Sequence, residues 1–292
     1  MLPNLIKRAI TGLFFVLVMC GGILYNGLTF AILFSIITYM SLNEFYSLMN
    51  QKRNTSINRW FHSLVGALFF LAVFYYNILS STAIGLLSNN LNLDNIILLP
   101  IISLFVLYFM YTFAKELYNQ DGSSPLTNLS MISMGHLYIT MPFSLLSFLA
   151  YLNVDTIYSW HFILPIFILI WLNDTGAYLV GSQFGKHRLF ERISPKKSWE
   201  GFWGGLVFSV IGAVVYGIFV PDLSLIQWAG FGLIVAVAGV FGDLTESMIK
   251  RLLEVKDSGN ILPGHGGMLD RFDAILFAIP AALIYLTVIN IF

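Results

Sequence analysis

Apolar residues run along this chain in nine long blocks, at 8–25, 27–45, 61–79, 96–115, 130–150, 160–181, 201–220, 225–250 and 272–292. Each meets or approaches the length of about 20 residues that a helix rising 1.5 Å per residue needs to cross bilayer hydrocarbon. The pattern predicts an all-α polytopic membrane protein of about nine transmembrane helices. Blocks one and two are separated by Tyr25-Asn26-Gly27, a turn that predicts a helical hairpin. Lys7-Arg8 ahead of the first block would also suit a secretory signal. The bulky Leu17-Val18-Met19 before Cys20 is unlike a peptidase site, so the expectation is an uncleaved first helix.

The charges test that count. Lys and Arg are retained in cytoplasmic segments and depleted from translocated loops. Here Lys7 and Arg8 precede helix one, Lys52, Arg53 and Arg59 follow helix two, and Lys115 follows helix four. Lys186, Arg188, Arg192, Lys196 and Lys197 follow helix six, and Lys250, Arg251, Lys256 and Arg271 surround the connection between helices eight and nine. Loops after helices one, three, five and seven hold no basic residue, only Asp94, Asp155 and Asp222. The amino terminus is therefore expected in the cytoplasm and the carboxyl terminus on the far side, with loops 182–200 and 251–271 cytoplasmic.

Composition agrees. The chain is 58% hydrophobic and 10% charged, whereas soluble domains are roughly a quarter charged. Zero formal net charge gives no reason to expect a nucleic-acid partner, and Cys20 as sole cysteine excludes an internal disulfide or a cysteine zinc cluster. The stretch 119–130, with Gly122 and Pro125, is the most linker-like. It suggests a front region, 1–125, for packing, lipid contact or oligomerisation, and a catalytic region, 126–292.

Chemistry is concentrated late in the chain. If helix eight continues to about residue 254, Asp243, Ser247, Lys250 and Glu254 share one face. Gly264, Gly266 and Gly267 around His265 would let backbone amides approach an anion. His265 itself could be a base, a phosphate donor or a loop-stabilising group. Asp270 and Asp273 lie one turn apart where helix nine begins. Carboxylates from two successive helices make an oxygen-donor site suited to Mg²⁺ shared with substrate phosphates, hence to phosphoryl or nucleotidyl transfer. Topology alone would require Lys and Arg here, but not six acidic residues among them.

Two further segments carry candidates. In Ser194-Pro-Lys196-Lys197-Ser198-Trp-Glu-Gly, Ser198 suits a helix cap and the lysines suit an anion held over the helix end, or simply the positive-inside pattern. In Asn173-Asp174-Thr-Gly-Ala-Tyr178 a carboxylate sits inside an apolar run, where it is either functional or paired to a neighbouring cation.

These segments resemble the phosphatidate cytidylyltransferase (CDP-diglyceride synthetase) family. Ser247-Met-Ile-Lys250-Arg251, Lys256-Asp257, Pro263-Gly-His265-Gly-Gly and Asp270-Arg271-Phe-Asp273 are similar to its signature, and the two upstream segments and Gly242-Asp243-Leu-Thr-Glu-Ser247 follow in family order. The resemblance spans about 165–280. It implies that phosphatidate attacks the α-phosphorus of CTP, leaving CDP-diacylglycerol and pyrophosphate, with Mg²⁺ held by Asp243 and Asp270, K⁺ as a second cation, and a homodimer. Asp257 and Asp273 are further metal candidates. Lys250, Arg251 and His265 are expected in catalysis, and Ser194, Lys196, Lys197, Ser198, Ser247, Lys256, Arg271 and Asp174 in phosphate or substrate binding. The expected setting is the bacterial cytoplasmic (inner) membrane. The rivals are a CTP-dependent polyprenol or lipid kinase and an ion-coupled transporter, though no inverted repeat is seen.

Overall fold

The computed structural model describes residues 2–86, 93–152, 158–259, 261 and 266–289. They form ten α-helices and a small two-stranded sheet: α1 (Leu2–Leu24), α2 (Gly27–Lys52), α3 (Arg59–Leu86), α4 (Leu93–Glu116), α5 (Pro125–Gly135), α6 (Met141–Leu149), α7 (Ile163–Phe184), β1 (Arg188–Phe190), β2 (Ser194–Ser198), α8 (Trp199–Phe219), α9 (Leu225–Leu252) and α10 (Leu269–Val288). Among the described residues, eight segments are long and apolar enough to cross a membrane, counting α5 to α6 as one, and Ile10–Leu24 of α1 is a shorter apolar helix. The protein is an all-α polytopic membrane protein. Every apolar block in the sequence corresponds to one of these segments.

Two compact units make up the chain: residues 1–158 with 257–269, and residues 159–256 with 270–292. In the first unit, the turn into α2 is fixed by a capping box. Thr29 N–H donates to Asn26 Oδ1 at 2.8 Å, and Asn26 N–H donates to Thr29 Oγ1 at 3.2 Å. This satisfies two backbone donors at a helix start. The block predicted at 130–150 is divided: a π-helical turn, His136–Thr140, separates α5 from α6. Pro142, just beyond that turn, has no N–H to donate back into it. The widened turn aims His136 inward, where Tyr108 Oη bridges His136 Nε2 (2.8 Å) and His62 Nδ1 (2.5 Å).

In the second unit, α7 and α8 pack through small residues, which lets membrane helices approach closely. A Cβ on Gly205 would stand 2.5 Å from Asn173 Oδ1, and one on Gly176 would stand 2.7 Å from the Phe208 ring. At the other end of α8, the fully buried Trp228 of α9 packs over Gly217, stacks on Phe162 at 5.8 Å and donates its indole N–H to Val220 O at 3.0 Å.

The antiparallel pair β1–β2, with Arg188 opposite Ser198, is a feature that the apolar pattern did not predict. Glu200 closes it by accepting from the backbone N–H groups of Lys186 and His187 and from His187 Nδ1 at 2.7 Å. The expected continuation of α9 to residue 254 is not seen. α9 ends at Leu252, and Glu254 has φ +54°, a left-handed conformation that leaves the helical face.

Candidate functional site

Four elements of the second unit bring polar side chains to one region. Ser198 caps α8 as expected, its Oγ accepting from Gly201 N–H at 3.1 Å. Immediately before it, β2 delivers Lys196 and Lys197. Lys197 Nζ reaches Asp243 Oδ2 on α9 at 2.6 Å, and Ser247 Oγ, one turn further along α9, donates to Asp243 Oδ1 at 3.2 Å. Two turns beyond Asp243, Lys250 Nζ pairs with Asp270 Oδ1 of α10 at 2.7 Å and with Glu246 Oε2 at 2.5 Å. Glu246 and Asp270 are 1% and 5% exposed at the side chain, so Lys250 compensates two carboxylates withdrawn from solvent.

Asp273 completes the group. Its Oδ1 accepts from Ala274 N–H at 2.7 Å, Glu246 is a side-chain hydrogen-bond partner, and the charges of Asp243 and Lys250 act on it. Asp174 of α7 has no ion pair among the described residues. It faces a cleft of about 320 Å³ together with Lys196, Lys197, Ser198, Tyr178 and Ser182, and the charges acting on it are those of Asp243, Lys197 and Arg271. Thus Asp174, Lys196, Lys197, Ser198, Asp243, Ser247, Lys250, Asp270, Arg271 and Asp273 gather in one unit.

Other predicted residues stand elsewhere. Arg251 is exposed and tethers the β1–β2 turn, its Nε donating to Ile193 O at 3.3 Å. Ser194 opens β2 opposite Phe190. Lys256 and Asp257 are exposed and have no ion pair among the described residues, and Asp257 belongs to the first unit. His265 lies outside the described residues.

Two acidic residues had not been singled out. Glu246 was legible as the i, i+4 partner of Lys250. Glu44 of α2 is a buried carboxylate in an apolar helix, a placement that marks functional or structural importance by default. In the first unit, Gly259 and Gly267 pack against Glu44; Gly264 lies outside the described residues.

The donor chemistry fits a hard cation. Asp174, Asp243, Glu246, Asp270 and Asp273 carry carboxylate oxygens, the donor type that Mg²⁺ takes. Lys196, Lys197, Lys250 and Arg271 stand among them. Lysine ammonium groups rest on Asp243 and Asp270. Among the described residues, no three His, Cys, Asp or Glu side chains form a preassembled metal set. A divalent ion would therefore complete its sphere from water and substrate phosphates, as Mg²⁺ commonly does.

The helices and this cluster define a polytopic membrane protein with lysine-paired carboxylates beside a cleft. The sequence profile of the cytidylyltransferase family matches residues 6–289, and the chain belongs to that family. It is 45% identical over 152 residues to a phosphatidate cytidylyltransferase of Staphylococcus saprophyticus, covering 49% of this chain and 58% of the relative. Against one from Staphylococcus aureus it is 52% identical over 122 residues, 41% of this chain and 46% of the relative. The Staphylococcus haemolyticus protein gives 45% over 152 residues, with shares of 49% and 58%. The chain spans about half the length of the curated relatives it matches.

Proposed function

We propose that this chain is a phosphatidate cytidylyltransferase, transferring CMP from CTP to phosphatidate and releasing pyrophosphate. The observation that carries the reading is the set around Asp243 and Asp270, where lysines from β2 and α9 rest on carboxylates of α9 and α10 beside a cleft that Asp174, Lys196 and Lys197 help to line. The relatives are named for the same activity.

A phosphate monoester is already nucleophilic at neutral pH, so the reaction demands little base chemistry. It demands that two polyanions be brought together, which is a matter of positioning and charge neutralisation. Lys196, Lys197 and Arg271 bind and orient the triphosphate and lipid phosphate. Lys250 holds Asp270 and Glu246 in place, and Ser247 orients Asp243. Asp243 and Asp270, with Asp273 and Asp174 adjacent, are the residues that would hold Mg²⁺ with K⁺ beside it; when bound, the divalent ion supplies charge neutralisation at the phosphates. A site at the ends of membrane helices leaves the acyl chains in lipid. The segregated Lys and Arg residues support a cytoplasmic opening in the bacterial inner membrane.

The test is label transfer by the purified protein with phosphatidate and Mg²⁺. [α-³²P]CTP should give a chloroform-soluble product and [γ-³²P]CTP should not. Label entering lipid only from the γ position would make the chain a lipid kinase, and no transfer from either would remove the enzymatic reading.

A further inference from the structure

Glu44 lies on α2 two turns before Lys52 and is 6% exposed. Its Oε2 accepts two hydrogen bonds from the segment 257–269 of the same unit: Leu269 N–H at 2.9 Å and Ser258 Oγ at 3.2 Å. Two glycines close around the same carboxylate. A Cβ on Gly259 would stand 2.5 Å from Glu44 Oε1, and its three nearest neighbours would all be Glu44 atoms. A Cβ on Gly267 would stand 2.5 Å from Oε2, and the preceding Gly266 takes φ +83°. A carboxylate withdrawn from water persists only where hydrogen bonds replace its hydration. Ser258, Gly259, Gly267 and Leu269 thus form a fitted wrapping around one acid. Leu269 is the first residue of α10 and is joined by its peptide bond to Asp270.

We propose that Glu44 is a positioning residue for nucleotidyl transfer: its carboxylate latches Ser258, Gly259, Gly267 and Leu269 and thereby fixes where the Leu269–Asp270 peptide sits. The proposal rests on the cytidylyltransferase reading. It gives α2, in the front part of the chain, a task beyond packing. It also gives Ser258, Gly259 and Gly267 a common partner. Glu44 acts through Asp270 and touches no substrate.

The experiment uses the full-length protein in detergent or nanodiscs, with hydrogen–deuterium exchange of the 258–269 peptides read beside steady-state kinetics. In Glu44→Ala, exchange in that segment should rise about tenfold, the signature of a lost buried hydrogen bond. The kcat should fall with KM for CTP unchanged. Glu44→Gln keeps an acceptor for Leu269 N–H and should restore most of both properties. Gly259→Ala drives a methyl against the carboxylate and should reproduce the Glu44→Ala losses. Because the three atoms nearest that methyl all belong to Glu44, adding it to Glu44→Ala should cost little more. Unchanged exchange in Glu44→Ala, or losses in the double variant that multiply, would overturn the latch. Exchange behaving as described in a wild-type protein that makes no CDP-diacylglycerol would overturn its catalytic role and the activity reading together, whereas an active wild type with an indifferent Glu44 would sink the latch alone.

Discussion

Lys250 is the residue on which the most charge depends, since its single ammonium compensates Glu246 and Asp270, both nearly inaccessible. Removing one partner of a buried ion pair typically costs about 3–5 kcal/mol, because the other is left uncompensated. Lys250→Ala should therefore lower thermal stability and turnover together. Lys52→Ala, at the exposed end of α2, should stay within about 0.5 kcal/mol of wild type and keep normal kinetics. Equal effects in a thermal-unfolding and kinetic comparison would return the late basic residues to a purely topological role. At this scale the sequence was partly legible. Asp174 could be named because charge in an apolar setting is costly, Asp243 and Asp270 because their spacing puts carboxylates on two successive helices, and Lys196 and Lys197 because they precede a capped helix start. The pairing of Lys197 with Asp243 could not, because β2 and α9 are separated by all of α8. Glu44, inside an apolar block, could have been marked by the same rule as Asp174, but its partners, more than 200 residues away in the chain, could not.

At the scale of elements, the start of α8 is where local sequence and site geometry meet. Ser198 ends β2, caps α8 and follows directly on Lys197, so one residue sets the direction in which that lysine leaves the sheet. Ser198→Ala should cost about 1 kcal/mol, the usual worth of an N-cap, read as a lower unfolding midpoint, and should raise KM for CTP by loosening Lys196 and Lys197. The α7–α8 contact is less forgiving. Gly205→Val would press a branched side chain into Asn173, and overpacking of this kind costs about 1–3 kcal/mol. An unfolding midpoint unchanged from wild type would contradict the close approach. Helix existence was readable throughout because a 20-residue apolar block has few alternatives in a bilayer. The π-turn at 136–140 and the β1–β2 pair were not. The first is hidden inside a continuous apolar block, and the second is too short and polar to carry a hydrophobic period.

At the scale of the molecule, the apolar helices are documented by length and composition, while sidedness rests on the distribution of Lys and Arg. With Cys20 replaced by serine, a cysteine at position 257 should react with a membrane-impermeant maleimide only from the cytoplasmic side, and one at position 221 only from the opposite side. The reverse labelling would invert the orientation and put the cleft out of reach of cytoplasmic CTP. The central claim is that the acidic residues of α9 and α10 serve the chemistry rather than the fold. Its most direct measurement is CDP-diacylglycerol formation by purified Asp243→Asn and Asp270→Asn proteins, each checked for retained helical structure in detergent. Both should lose about 100-fold or more in turnover, the scale on which charge-stabilising groups act in transfer reactions, while remaining folded. Near-normal turnover from either folded variant would contradict the account.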